Sequence, residues 1–198
     1  MPDYKKEWIE KASIDYFAPF LNLWLACNSW YRSHYAEIAS YDRDLINKIK
    51  TDYTGRNSLL TKFKILIKDV SKDGIAFRSN LEQLHYALER ADLHSERTGR
   101  CSFCSAVLDY SHPTNVINLV CNPRINVGGS VNANDALNVC KLDKIYITSN
   151  YEMFFAGLFE IIYQVRNILV HGNMNPEKDC HNVVKYCYLI LWDLMNSH

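Results

Sequence analysis

The stretch YEMFFAGLFEIIYQVRNILVHG, Tyr151 to Gly172, decides how this chain folds. Phe154, Phe155, Leu158, Phe159, Ile161, Ile162, Val165, Ile168 and Leu169 make it the most apolar segment of the sequence. Their three- and four-residue recurrence predicts a helix from about Tyr151 to His171, buried over most of its surface. Gly172 is a natural stop, because glycine adopts the left-handed conformation that closes helix ends without a Cβ clash. Asn175-Pro176-Glu177 then reads as a restart, with Asn as N-cap, Pro at the first helical position and an acid facing the helix dipole. The final helix carries Val183, Val184, Cys187, Ile190, Leu191 and Leu194 at helical spacing.

Working back toward the N-terminus, the helical period recurs. Residues 3–16 suggest a short leading helix, ended near Pro19. The next runs from about Ala18 to Glu37 and places Leu21, Trp24, Cys27, Asn28 and Tyr31 on one face. Phe20, Leu23, Leu25 and Trp30 make its other faces apolar as well, which fits a central helix or one covered by another subunit. Helices are also expected over 42–53, with Leu45, Ile46 and Ile49 inward; from Asn57 to Val70; and from Arg78 to Leu93, with Leu81, Leu84, His85 and Leu88 inward. Between Cys101 and Tyr151 the period is lost. Short β-prone runs, Val116 to Val120 and Ile145 to Thr148, are separated by Asn, Gly, Pro and Ser. Residues 99–150 therefore read as an irregular insertion with short strands. It is too small to bury a core alone, so residues 1–198 form one domain.

Composition narrows the function. Of 198 residues, 48% are hydrophobic, enough for a core. The 22 basic and 22 acidic side chains cancel, which argues against a protein that wraps nucleic acid by bulk charge. A local excess does exist: between Asp42 and Lys72 eight Lys or Arg face four Asp. Lys64, Lys68 and Lys72, at four-residue steps, form either a solvated face or a patch that tracks an RNA backbone. The opening Met1-Pro2-Asp3-Tyr4-Lys5-Lys6-Glu7 has no apolar signal core, and the polar-interrupted stretch Tyr16 to Tyr31 suits a buried helix better than a bilayer span. A cytoplasmic protein without a membrane partner is expected, with its seven cysteines reduced. Cys101-Ser-Phe-Cys104 is a plausible half-site for structural zinc that Cys121 and Cys140 could complete, with His112 as a substitute, although a second close pair is missing. No other cofactor is indicated.

The chemistry concentrates in Arg166-Asn167-Ile-Leu-Val-His171. A guanidinium inside an apolar helix is costly unless a carboxylate or a phosphate meets it. An internal salt bridge to Glu160, Glu37 or Asp193 is one solution, and a phosphate ligand is the other. Five residues turn a helix by about 500°, so Arg166 and His171 do not share a stripe. They converge only if the helix end frays or a second copy of the chain supplies another pair. Arg78 and His85 have a similar spacing but lack the neighbouring Asn and the helix end. Glu160 reads as an auxiliary acid or a surface residue.

Arg166-Asn167-x-x-x-His171-Gly172 at the end of the penultimate helix, led by Ile162-Tyr163-Gln164-Val165, resembles the signature of the HEPN domain (higher eukaryotes and prokaryotes nucleotide-binding). Phe20-Leu-Asn-Leu-Trp24-Leu-Ala-Cys-Asn28-Ser-Trp-Tyr31 resembles the first core helix of the Apea-like HEPN branch. The resemblance covers the helices and not residues 99–150. It implies an all-α, up-and-down helical bundle that dimerises through its motif helices, so that two copies contribute Arg and His to one cleft. It also implies metal-independent RNA cleavage leaving a 2′,3′-cyclic phosphate, in a toxin or anti-phage defence effector with a possible antitoxin partner. The alternative within the same resemblance is a catalytically silent module that binds nucleotide, RNA or a protein partner.

On that reading Arg166 binds the scissile phosphate through two N–H groups, His171 moves a proton, and Asn167 orients His171 or the substrate. Asn28, Trp24 and Tyr31 support the cleft or the packing beneath it. The resemblance also offers a modifiable Tyr two residues after the His in some relatives; here that position is Asn173.

Overall fold

A computed structural model describes residues 14–38, 41–109 and 111–196. The expected leading helix over 3–16 lies almost wholly outside them. Among the described residues, seven helices account for 56% and short strands for 10%, so the fold is mainly α. The helices are α1 (Phe17–His34), α2 (Asp42–Thr51), α3 (Ser58–Lys68), α4 (Lys72–Ala91), the single turn α5 (Ala133–Ala136), α6 (Tyr151–Val170) and α7 (Lys178–Met195).

The apolar stripes expected from the sequence meet in one core. Trp24, Cys27 and Tyr31 of α1, Leu45, Ile46 and Ile49 of α2, and Val183, Val184, Cys187, Ile190 and Leu191 of α7 are all buried there. α7 lies along α4 and α1, α2 lies along α6, and α3 lies along α4. α6 is buried from Phe154 to Val165, as its composition demands. By length and composition it could cross a bilayer, yet 72% of its apolar window is buried inside the fold, which marks it as the core helix. α1 keeps a solvent face, with Leu25 exposed.

Several boundaries differ from expectation for local reasons. α3 stops at Lys68, so Val70 points into water instead of the core. α4 starts six residues before Arg78, because Ser71 caps it by accepting from the Gly74 N–H. Lys72 therefore belongs to α4 and does not continue the row on α3. A Cβ at position 74 would collide with Asp69, so this tight reversal needs glycine. The restart after Gly172 comes two residues late: Glu177, not Asn175, occupies the N-cap of α7.

The segment between α4 and α6 is richer in strands than its sequence suggests. Besides β4 (Val116–Ile117), β5 (Val120–Cys121) and β7 (Tyr146–Thr148), it contains β1 (His94–Ser95), β2 (Gly99–Arg100), β3 (Ala106–Val107) and β6 (Val139–Lys141). All pairings are antiparallel: β1 with β2, β3 with β4, and β7 between β5 and β6. Pairing thus begins at His94, ahead of the expected boundary at 99. The segment docks through Phe103, Ala106, Leu119 and Ile147, all buried in the common core. Gly157 permits the approach, because a Cβ there would sit 2.8 Å from a methyl of Leu119 and 3.3 Å from the Ala106 Cβ.

Candidate active site

The end of α6 shapes the site. His171 is its C-cap, and Gly172, at φ +72°, turns the chain back. The Gly172 N–H donates to the Leu169 carbonyl at 3.1 Å and the Asn173 N–H to the Ile168 carbonyl at 3.0 Å. This pair of bonds satisfies carbonyls that the helix end would otherwise leave open. It also fixes His171 at the lip of a cavity of about 580 Å³, which Arg166, Asn167 and His171 all line.

Their convergence needs neither a frayed helix nor a second chain. Asn167 stands four residues before His171 and so occupies the same stripe. Arg166 reaches sideways, and its Nη1 donates to Asn167 Oδ1 at 2.8 Å. Its guanidinium carbon lies 5.8 Å from the Trp24 ring centre, a cation–π contact that steadies the stem. No carboxylate among the described residues is within ion-pair distance of Arg166, and its buried Nε has no hydrogen-bond partner. Among the described residues, the internal salt bridge that the sequence allowed is therefore not formed. Glu160 is committed elsewhere, and Glu37 pairs with Arg56 on the surface.

Glu160 is neither an auxiliary acid of the cavity nor a surface residue. It is 1% exposed and holds a buried charge centre. Arg43 grips it with two nitrogens at 2.7–3.0 Å, Lys50 Nζ lies at 2.5 Å, and Gln164 Nε2 donates at 2.6 Å. Burial alone would raise its pKa. The hydrogen bonds and charges of Arg43 and Lys50 outweigh that and hold the carboxyl below its usual range. Gln164 also accepts from Ser95 Oγ at 2.8 Å, which ties β1 to α6. The Arg43 guanidinium covers the Tyr163 ring at 4.6 Å, and Arg43, Tyr163 and Gln164 all reach the cavity wall.

The Trp24–Tyr31 stretch of α1 and the Arg166–His171 stretch of α6 meet at this place. Trp24 packs on Phe159 and Tyr163 of α6. Asn28 and Tyr31 direct their polar ends at Asp42, which lines the cavity and also accepts from Arg32. Burial and the neighbouring Asp42 carboxylate push the Tyr31 hydroxyl well above its ordinary range, so it remains a donor. These three residues support the wall and do not form the lip.

Sequence reasoning missed the rest of the lining. The β1–β2 hairpin contributes His94, Ser95, Glu96 and Arg97. Gly99, at φ +73° in the turn, is the signal that could have found this hairpin, but nothing in the spacing pointed to α6. Arg43 was hidden within a generally basic region. The lysine row lies apart: Lys64 and Lys68 line a different groove with Thr61, Ile65 and Asp69. Lys64 pairs with Glu152, Lys68 sits over the Tyr151 ring, and Lys72 is exposed on α4.

The expected zinc set is not assembled. Among the described residues no three of Cys101, Cys104, Cys121 and Cys140 bring their sulfurs within 4.8 Å of one another. Cys101 is buried, and that burial pushes its thiol up to about 12, keeping it protonated. His112 pairs with Asp109 instead.

No protein-family model, curated protein or solved structure matches the chain.

Proposed function

We propose that the protein is an endoribonuclease of the HEPN type, cleaving RNA by acid–base chemistry that needs no metal ion. The observation that carries this reading is a guanidinium with no carboxylate partner among the described residues, Arg166, opening with Asn167 and His171 onto one polar cavity. A structural arginine would have been neutralised inside the fold, as Arg43 is by Glu160. Arg166 keeps donors available for an external anion, and a phosphodiester presents two oxygens at matching separation.

The reaction needs a base to take the ribose 2′-hydroxyl proton and an acid to protonate the departing 5′-oxygen. The 2′-oxygen then attacks phosphorus, the P–O5′ bond breaks, and the products are a 2′,3′-cyclic phosphate and a 5′-hydroxyl. Histidine serves either role near neutral pH. Two imidazoles, His171 and His94, line the cavity of a single chain. Arg166 neutralises charge that develops on the phosphorane. Asn167 holds the guanidinium in place beside His171. A homodimer that apposes two α6 ends would add a second copy of each group. A toxin or anti-phage effector is the cellular role in keeping with this activity.

The test is cleavage of a labelled RNA without added divalent cation. Arg166→Ala and His171→Ala should each lower the rate about 100- to 10,000-fold, the span for a lost acid–base or charge-stabilising group. Both proteins should keep the parent's circular dichroism and oligomeric state. Undiminished cutting by either variant rejects the site. Retained RNA binding with no cleavage by the parent protein would replace the nuclease with a binding module.

A further inference from the structure

A second cluster lies outside the cavity, where α4 meets the turn after β2. His85 and Glu89, four residues apart, stand on one stripe of α4. Cys104 arrives from the turn that follows Ser102. One donor atom from each of the three lies within 4.8 Å of the others. Around a tetrahedral zinc ion such atoms sit about 3.3–3.8 Å apart, given bond lengths of about 2.0–2.3 Å, so only a small inward shift is needed.

Two independent features point to a ligand there. His85 is 8% exposed, and its buried Nδ1 has no hydrogen-bond partner among the described residues. A buried polar atom left unpaired calls for an explanation, and the ring is packed in a stack on Phe103 at 5.9 Å. Glu89 is held from behind as metal-binding carboxylates are: Ser102 Oγ donates to one oxygen at 2.5 Å, and Arg100 forms an ion pair with the other at 3.2 Å while donating to the Glu89 backbone carbonyl. Arg100 is shared with Asp92, so it does not cancel the Glu89 charge alone.

We propose that His85, Glu89 and Cys104 form a three-ligand site for one zinc-class divalent ion that clips the turn after β2 onto α4. The mixed nitrogen, oxygen and sulfur donors select zinc and its softer neighbours over magnesium or calcium. Cys104 is exposed, so water completes the coordination. The ion closes the chain from Glu89 to Cys104, the segment that carries β1, β2 and the cavity residues His94 to Arg97. This site is independent of the nuclease reading, because its ligands do not line the cavity.

Cobalt(II) reports the site directly. Full-length protein, stripped of metal and kept reduced, is titrated with cobalt and then with zinc. One equivalent should produce tetrahedral d–d bands and a thiolate-to-cobalt charge-transfer band, both erased by zinc. Cys104→Ser should abolish the charge-transfer band and weaken zinc binding, measured by chelator competition, by about 100-fold or more; Ser102→Ala should weaken it about 10- to 100-fold. Cys121→Ser, outside the cluster, should keep the band. Absence of the band in the parent protein, or its survival in Cys104→Ser, overturns the proposal whatever the RNA assay shows.

Discussion

Replacing Glu160 by Gln is an almost isosteric change that removes one negative charge from the centre of the fold. It opens no cavity, so its cost is electrostatic. Lys50, whose side chain is 2% exposed, would lose its carboxylate partner and keep the Leu108 carbonyl, and Arg43, 18% exposed, would lose its bidentate charged acceptor. Removing one member of a buried ion pair typically costs about 3–5 kcal/mol, because the other charge stays desolvated. Domains have only about 5–15 kcal/mol of total stability, so the effect is large. In a chain of this length it corresponds to a fall in Tm of about 6–20 °C. Urea unfolding followed by circular dichroism should show a lower midpoint at unchanged slope. Lys50→Met in the Glu160→Gln background removes the stranded ammonium. The double variant should therefore be more stable than the sum of the two single losses, with a coupling of about 0.5–3 kcal/mol. A loss below about 1 kcal/mol for Glu160→Gln, or strict additivity, would refute a tightly coupled charge centre.

Other outcomes follow from the same physics. Asn57→Ala should cost about 2–4 kcal/mol in urea unfolding, since Asn57 caps α3 through the Leu60 N–H and also bonds the Ile49 and Asp52 carbonyls while fully buried. Gly157→Ala should lower Tm despite alanine's better helix propensity of about 1 kcal/mol, because crowding buried Leu119 costs about 1–3 kcal/mol; a raised Tm would show that the insertion yields. On acidification, stability should fall in two stages. His85 has a folded pKa below its ordinary 6.5, so the unfolded chain takes up a proton first and stability declines as pH drops below about 6.5. Glu160, held below its ordinary 4.5, adds a second decline below that value, complete only once pH passes the folded pKa. Unfolding free energies measured from pH 8 to pH 3 check both stages, and Glu160→Gln should make the second shallower, the remainder coming from other carboxylates held low such as Asp52 and Glu152.

Much of the helical framework was legible because periodicity and burial are the same fact seen twice. The inward positions of α2 and α7 were readable residue by residue, and Gly172 marked the end of α6. Errors gathered where short polar groups decide. Ser71 and Gly74 begin α4 early, and Glu177 in place of Asn175 caps α7. The strands of the insertion were partly invisible, since two-residue ladders leave too little alternation to register.

By itself the primary sequence offered the Arg166, Asn167 and His171 triplet at a helix end, which is local, so a one-dimensional pattern suffices to find it. It could not say whether Arg166 was neutralised internally, because that depends on where every carboxylate lands. Folding assigned Glu160 to Arg43 and Lys50, and so left Arg166 with donors to spare. It also carried His94 and Arg97 to the same cavity, and brought Cys104 to His85 and Glu89 while leaving the other expected thiols apart. Such encounters belong to the tertiary structure alone, because an ion pair or a ligand set is defined by distance in space, and packing sets that distance between residues far apart along the chain.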